Sequence, residues 1–337
     1  PGAGTCPVRG HSNVQGDRTM GIYEKPPKAF LDRLQNHFNF QAPQEHGYDV
    51  VDSIKAMGDQ KVKLFFAMGG NFISATPDSE ITAQNMQKCE MTVQISTKLN
   101  RSHVITGDEA LILPCLSRIE IDIQGGERQF QTVENSMGVV HMTKGAFEPS
   151  SEQLKSETSI VCELANELFE SGQEWLKFQS HNDHTREAIE AVIPGFNDYN
   201  RKVRLPGGFE LPNVAREGSF VDGKAYFTVN DLPEVKVADD ELIMMTIRSH
   251  DQYNTTIYGL DDRYRGIYNE RRVILMNITD MKPRSLKTGD LVDIYSEYAG
   301  EKRSSNKFIV VEFDIAKGCC ATYFPEANAL IPLNSVA

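Results

Sequence analysis

Val62-Lys63-Leu64-Phe65-Phe66-Ala67-Met68 runs directly into Gly69-Gly70-Asn71. The apolar run is too short for a typical helix and suits a buried strand; the paired glycines stop it. A strand that ends in glycines exposes backbone N–H groups at the carboxyl edge of a sheet, where anions and nucleotides bind because no side chain blocks approach. Asn71 adds an amide, or tolerates a left-handed backbone. The same residues also suit an ordinary strand–loop turn, and both readings stand. Around this stretch the sequence predicts a helix over Ala29–Phe38, a helix over Ala83–Cys89, a strand over Met91–Ser96 and another over Glu109–Leu113, stopped by Pro114. The alternation predicts a parallel α/β sheet.

Further along, Ile119-Glu120-Ile121-Asp122-Ile123 alternates as a half-buried strand does, Gly125-Gly126 reads as a turn, and Phe130–Val133 as its partner. Ile160, Leu164 and Leu168 recur at helical spacing, with Thr158 or Ser159 as the expected cap. A second helix is expected over Arg186–Ile193, ended by Pro194-Gly195. Arg204–Pro233 reads as loop, and near its end we place the domain boundary: 1–235 α/β, 236–337 rich in strands. The expected strands are Leu242–Ile247, Arg272–Met276, Leu291–Tyr295, Phe308–Phe313 and Cys320–Phe324, enough for a closed barrel or sandwich.

The chain has 337 residues, consistent with two domains at roughly 150 residues each. Its net charge of −12 argues against nucleic acid or anionic lipid as a general partner. No apolar run approaches the roughly 20 residues that span a bilayer. The chain opens Pro1-Gly2-Ala3-Gly4 without Met and is read as a fragment whose natural start lies upstream, with no secretory signal visible. Its six cysteines include no Cys-x-x-Cys pair, which argues against a zinc ribbon or an iron–sulfur cluster here and favours a reducing, cytoplasmic compartment.

Three further segments could carry chemistry. Thr246-Ile247-Arg248-Ser249-His250-Asp251-Gln252-Tyr253-Asn254-Thr255-Thr256 places a dense set of hydrogen-bonding side chains after an apolar strand; it suits reading a heterocycle edge or holding a pyrophosphate, and equally a solvated loop. Gly10–Arg18 is rich in amides and glycines, and suits ligand contact or a linker. Tyr323–Asn328 reads as a turn at a strand end. The sequence contains no HExxH, GxGxxG, GxxxxGK[ST] or GxSxG. Cys319-Cys320 is expected in the core, and His103, His141 and His181 lack ligand-like spacing.

These segments, in this order, resemble the C-terminal half of the molybdopterin-guanine-dinucleotide (MGD) enzymes of the dimethyl-sulfoxide-reductase and formate-dehydrogenase superfamily. Asn13-Val14-Gln15-Gly16 is similar to the Asn-x-Gln-Gly segment of formate dehydrogenases, Phe65–Asn71 to the family's strand–Gly-Gly-Asn, Ala110–Pro114 to its Ala-Asp-x-x-Leu-Pro, and Asn277–Val292 to its dinucleotide-binding barrel. The longer strings Cys6–Arg18, Thr97–Ser102 and Ser249–Thr256 resemble formate-dehydrogenase-like oxidoreductase alpha (molybdopterin) subunits, a subgroup that includes an acid-resistance-associated protein of enteric bacteria.

The resemblance implies a parallel-sheet, Rossmann-like MGD-binding domain followed by a double-psi β-barrel. It implies Mo-bis(MGD) as cofactor, with W as the alternative metal. Cofactor contacts are expected from Asn13, Gln15, Gly69, Gly70, Asn71, Ser96, Thr97, Lys98, Thr246, Arg248, His250, Gln252, Asn254, Thr255 and Asn328. Gln94 is followed by Ile95-Ser96-Thr97-Lys98 where many relatives carry Gln-Asp, which leaves Asp108 as the candidate guanine-reading carboxylate. The metal-ligating residue, and any iron–sulfur cluster, would belong to the N-terminal half of the same protein, which is the implied partner along with a small-molecule substrate and an electron carrier. The parent is expected to be a formate-dehydrogenase-like oxidoreductase and this part alone inactive. The alternative is a non-catalytic MGD- or nucleotide-binding protein with a stress role.

Overall fold

The computed structural model describes residues 14–169, 173–213, 221–224, 226–232, 237–255 and 257–335. They fall into two compact units, each gathered from separated stretches: one takes the chain up to Asp49, Ile95–Lys98 and Ile112–Thr228, the other Val50–Gln94, Leu99–Leu111 and the chain from Val229 onward. The expected boundary at 235/236 falls on residues outside the described set.

The Val62–Asn71 stretch forms a strand where expected, but not the buried one expected: β1 spans Leu64–Met68, no residue of it is fully buried, and it lies at the edge of a three-stranded sheet, order β1-β2-β3, with β2 at Met91–Ser96 and β3 at Glu109–Pro114. Glu109 N donates to Glu90 O and Cys115 N to Ser96 O, a constant offset that marks β2 and β3 as parallel. The helix expected over Ala83–Cys89 lies instead at Ser79–Met86. Its buried face includes Ser79 and Thr82, and Thr82 Oγ1 donates to Pro77 O at 2.9 Å, so a hydrophobic period could not reveal where it starts. Another helix, Val50–Gly58, precedes β1. Met57, Ile73, Met86 and Cys89 form the core here, with Phe65 of β1 packed against them.

In the other unit the helix Lys28–Phe38 matches expectation. The strand expected over Ile119–Ile123 shrinks to β4, Ile123–Gln124, paired through the Gly125-Gly126 turn with β5, Glu127–Arg128. The cause is local: the Glu120 carboxylate accepts from the backbone of Ser117 (2.7 Å) and Ser150 (3.1 Å), which draws the chain into a turn and holds that carboxyl below its ordinary pKa. The segment expected to pair with it becomes β6, Gln131–Glu134, and pairs with β7, Val139–Thr143, which pairs in turn with β8, Phe209–Glu210. Helix Glu157–Leu168 is capped two or three residues ahead of the expected Thr158 or Ser159: Ser156 is the residue whose side chain accepts from Ser159 N. The Arg186–Ile193 helix runs Asn182–Val192. Phe130, Val140, Phe196, Tyr199 and Val203 form this unit's core. The buried Arg186 lies 4.0 Å from the Phe130 ring centre.

The C-terminal strands form one mixed five-stranded sheet: β9 Ile243–Ile247, β10 Val273–Met276, β11 Leu291–Tyr298, β12 Glu301–Glu312 and β13 Cys319–Tyr323, in the order β11-β12-β10-β13-β9. β10 pairs parallel with β12 and antiparallel with β13. All four residues of β10 are buried, because they feed two cores: Ile274 and Met276 pack with Phe308, Val310 and Cys320, while Val273 and Leu275 pack with Ala321 and Tyr323. β12 starts seven residues ahead of the expected Phe308. Its first half, Glu301-Lys302-Arg303-Ser304-Ser305-Asn306, is polar and carries no strand-like apolar pattern. Leu275 is 1% exposed, so Leu275→Ala should destabilise by about 3 kcal/mol, through lost burial plus a cavity, and lower the urea midpoint without changing the slope.

Candidate functional site

The Gly-Gly-Asn loop is built by backbone geometry. Gly69 and Gly70 have φ of 70° and 78°, where a side chain is strained. A Cβ on Gly70 would meet nothing within 4 Å, so its glycine answers to backbone conformation and leaves that side open. Asn71 is buried, 5% exposed, and both ends of its amide are engaged: Nδ2 donates to Thr255 O at 2.9 Å, and Oδ1 accepts from Ser102 Oγ at 3.1 Å. Asn100 Nδ2 donates to Gly70 O at 2.7 Å, and Ile73 N to Ser102 Oγ at 3.0 Å. The tight turn Arg101–Val104 holds these partners through a reciprocal cap between Asn100 and His103.

The loop after β9 is held by a residue that the sequence reading missed. Arg271, 3% exposed, donates to Ser249 Oγ (3.0 Å), Gln252 Oε1 (3.0 Å), Phe324 O (3.0 Å) and Glu326 (2.8 Å), with its guanidinium 4.4 Å from the Tyr258 ring centre and 4.7 Å from that of Tyr323. Gln252 Nε2 donates to Asn254 O at 2.6 Å and Phe324 O at 2.8 Å. Below this lies Asp262, which accepts from Tyr323 Oη at 2.8 Å and Arg265 Nη1 at 2.5 Å. Burial pushes the Asp262 carboxyl up, but these hydrogen bonds and the Arg265 charge outweigh it and hold the group below the ordinary carboxylate value. Asn328 closes the set: its Nδ2 donates to Ser74 O at 2.5 Å, and Asp78 N donates to its carbonyl at 3.0 Å.

Gly69, Gly70, Asn71, Asp108, Thr246, Arg248, His250, Gln252, Asn254, Thr255 and Asn328 therefore share one compact unit. Arg248 is exposed; it donates to Asn254 Oδ1 at 3.0 Å and lies 5.6 Å from the Phe324 ring centre. His250 is exposed against Tyr264, ring centres 3.9 Å apart. Thr246 is exposed on β9, beside Thr322. Asp108 is exposed, its N–H bonded to Cys89 O. Gln15, on the helix Val14–Thr19, and Ser96, Thr97 and Lys98 belong to the other unit; Ser96 is buried, Thr97 and Lys98 exposed. Asn13 lies outside the described residues. A cleft of about 610 Å³ is lined wholly by residues between Leu116 and Ser180, none of them an expected cofactor contact. Among the described residues no three of His, Cys, Asp and Glu gather as metal ligands, and no helix is long and apolar enough to cross a membrane.

Residues 242–335 match the family described as molydopterin dinucleotide binding domain. All five strands of the C-terminal sheet, β9 to β13, lie within the matched stretch. The same stretch holds Thr246, Arg248, His250, Gln252, Asn254, Thr255, Arg271 and Asn328. Over its whole length the chain is 50% identical to an uncharacterized oxidoreductase of Mycobacterium tuberculosis and covers 44% of that protein. It is 42% identical to the protein YdeP of Escherichia coli K12, with 99% of this chain and 45% of YdeP aligned. A nitrate reductase of Shewanella frigidimarina is 21% identical over 99% of this chain and 39% of its own. The chain thus spans less than half the length of these relatives. Among solved structures, acetylene hydratase from Pelobacter acetylenicus shares the fold, with a TM-score of 0.52, 14% identity, and cover of 91% of this chain and 43% of that one.

In the dinucleotide-binding domain Arg271 should behave as a structural hub. Arg271→Ala leaves the partly buried Glu326 and the buried Gln252 without their cation, and should lower unfolding free energy by about 3 kcal/mol, read by chemical denaturation. Asp262 supplies stability that is present above its unfolded value of about 3.9 and lost as pH falls through its lower folded value. Asp262→Asn should therefore unfold more readily than wild type at neutral pH, with the gap closing in acid, as read by urea midpoints across a pH series.

Proposed function

We propose that residues 1–337 are the C-terminal part of a molybdopterin oxidoreductase of the formate-dehydrogenase-like kind, and that they contribute one side of the cleft for a Mo- or W-bis(MGD) cofactor. Residues 1–235 would be its Rossmann-like α/β part and 236–337 its double-psi β-barrel. The observation that carries the reading is the bond from Asn71 to Thr255, which ties the Gly-Gly-Asn loop to the polar loop of the dinucleotide-binding domain. Two loops read separately from the sequence as nucleotide-facing thereby meet in one unit.

The donor set fits the proposed ligand. A pyrophosphate needs cations and backbone N–H groups; a pterin or guanine edge needs paired donors and acceptors. Gly70 leaves the backbone open to approach, and Arg248, His250 and Thr246 present exposed side chains from the barrel part. Asn71, Gln252 and Asn328 engage their amides within the protein, so their proposed role is to hold the loops that face the ligand. Asn254 and Thr255 stand next to Arg248 and Asn71. Asn13, Gln15, Ser96, Thr97, Lys98 and Asp108 complete the proposed contact set. The cofactor, when bound, supplies the redox-active metal; the ligand to that metal, the substrate and the electron carrier would be met by the rest of the protein in a cytoplasmic setting.

In the full-length gene product, plasma mass spectrometry should find about one Mo or W per chain, and pterin assay about two pterins, as a bis-pterin cofactor requires. A folded protein that stays empty in cells making the cofactor would overturn the reading in favour of a non-catalytic role. Arg248→Ala should lower metal and pterin content while leaving the thermal unfolding curve in place, since its side chain is exposed and, among the described residues, its one side-chain hydrogen bond is to Asn254.

A further inference from the structure

The cleft of about 610 Å³ between Leu116 and Ser180 lies wholly inside one compact unit, and none of its lining residues is an expected cofactor contact. Its buried lining is polar. Gln124, Ser156 and Ser159 are 6%, 6% and 8% exposed. Ser156 Oγ accepts from Gln124 Nε2 at 2.8 Å and from Ser159 N at 3.3 Å, and donates to Ser159 Oγ at 3.3 Å. Gln124 Nε2 also donates to Asp122 Oδ2 at 3.0 Å. That contact orients the amide, because an ionised carboxylate accepts hydrogen bonds and cannot face the carbonyl end. Gln124 Oε1 is then withdrawn from water with no hydrogen-bond partner among the described residues. Native proteins rarely leave a buried amide oxygen unmet, so one on the lining of a cleft marks the place of a missing donor.

The rest of the lining says what kind of donor it is. Four carboxylates, Asp122, Glu148, Glu152 and Glu163, face a single cation, Lys155, which is already paired with Glu163. Burial pushes the Asp122 carboxyl up in spite of the hydrogen bonds from Gln124 and Ser156, a balance that a positive charge brought alongside would reverse. Leu116, Ile121, Leu154 and Leu176 add hydrocarbon to the walls. A bare metal ion suits this lining poorly, since among the described residues no three of His, Cys, Asp and Glu gather as ligands. The volume is that of a small-molecule site. The turn beside Gln124 is pressed close against the opposite wall: a Cβ on Gly125 would lie 2.6 Å from Ser180 O.

We propose that this cleft binds a small organic cation, a protonated amine whose N–H groups pair with the Asp122 carboxylate and with Gln124 Oε1 while its hydrocarbon lies along the leucine side chains. A slight turn of the Gln124 carboxamide brings Oε1 to the ligand. The proposal is independent of the cofactor reading, because the two sites share no residue.

The test is isothermal titration of the full-length gene product with 1,5-diaminopentane, and with 1,5-pentanediol as a neutral molecule of the same length. The diamine should saturate one site per chain, and the diol should give no saturable heat. Asp122→Asn and Gln124→Leu should each weaken the diamine about tenfold or more, the loss expected for one charge-assisted hydrogen bond. Leu176→Arg changes a half-exposed wall residue without touching the buried network, and should abolish binding in a protein that remains folded. Glu90→Gln removes an exposed carboxylate from the other unit and should leave binding unchanged. No saturable binding of the diamine, equal binding of the diol, full binding by folded Leu176→Arg, or an equal loss in Glu90→Gln, which would mean general attraction to a chain of net charge −12, would each overturn the site.

Discussion

A primary amide withdrawn from water needs hydrogen-bond partners at both of its ends, and the amide of Asn71 finds them on two segments far apart in the chain: Ser102 in the turn beyond β2, and Thr255 in the loop after β9. An unmet donor or acceptor at that depth would cost about 1–3 kcal/mol, so the loops that meet Asn71 are held to a narrow range of positions. Asn100 and Asn328 extend the same logic, one gripping the carbonyl of Gly70 and the other that of Ser74. Asp78, buried beside Asn328, takes both Nε and Nη2 of Arg303 from β12. The segment that follows β1 and the C-terminal strands are therefore joined through buried polar groups.

Arg271 plays the matching part within the C-terminal strands. Its planar fork meets a hydroxyl, an amide oxygen, a carbonyl and a carboxylate at once, and aromatic rings cover its faces. A lysine, with one point of charge, could not satisfy that set. The loop Ser249–Thr255 is thus preorganised from beneath, which lets Arg248 and His250 stand exposed above it while the backbone under them stays fixed.

Short runs with apolar, strand-like residues were legible from sequence: β1, β2, β10 and β13 lie within a residue or two of where they were expected. The family resemblance singled out Gly69, Gly70, Arg248 and Asn328, and the structure brings these four into one compact unit. What stayed hidden was governed by polar groups. The helix Ser79–Met86 hides behind a buried Ser and Thr; Glu120 folds its own strand into a turn; the first half of β12 is charged. Arg271 stands just ahead of the expected strand Arg272–Met276 and carried no signal of its own, because a single sequence does not reveal that four acceptors from elsewhere converge on it. Nor does it reveal that Ser96–Lys98 and the Gly-Gly-Asn loop go to different compact units, since adjacency along the chain is a poor guide once units are assembled from separated stretches.

That interleaving also sets the order in which the molecule can be completed. The contacts of Asn71 and Ser74 lie 184 and 254 residues downstream, so a chain emerging from the ribosome presents β1, β2 and their glycine loop long before the strands that lock them exist. Loop closure over such separations is slow compared with local pairing. During synthesis the Gly-Gly-Asn loop must wait as a hydrated turn, and it becomes a fixed structure only once Thr255 and Asn328 have arrived.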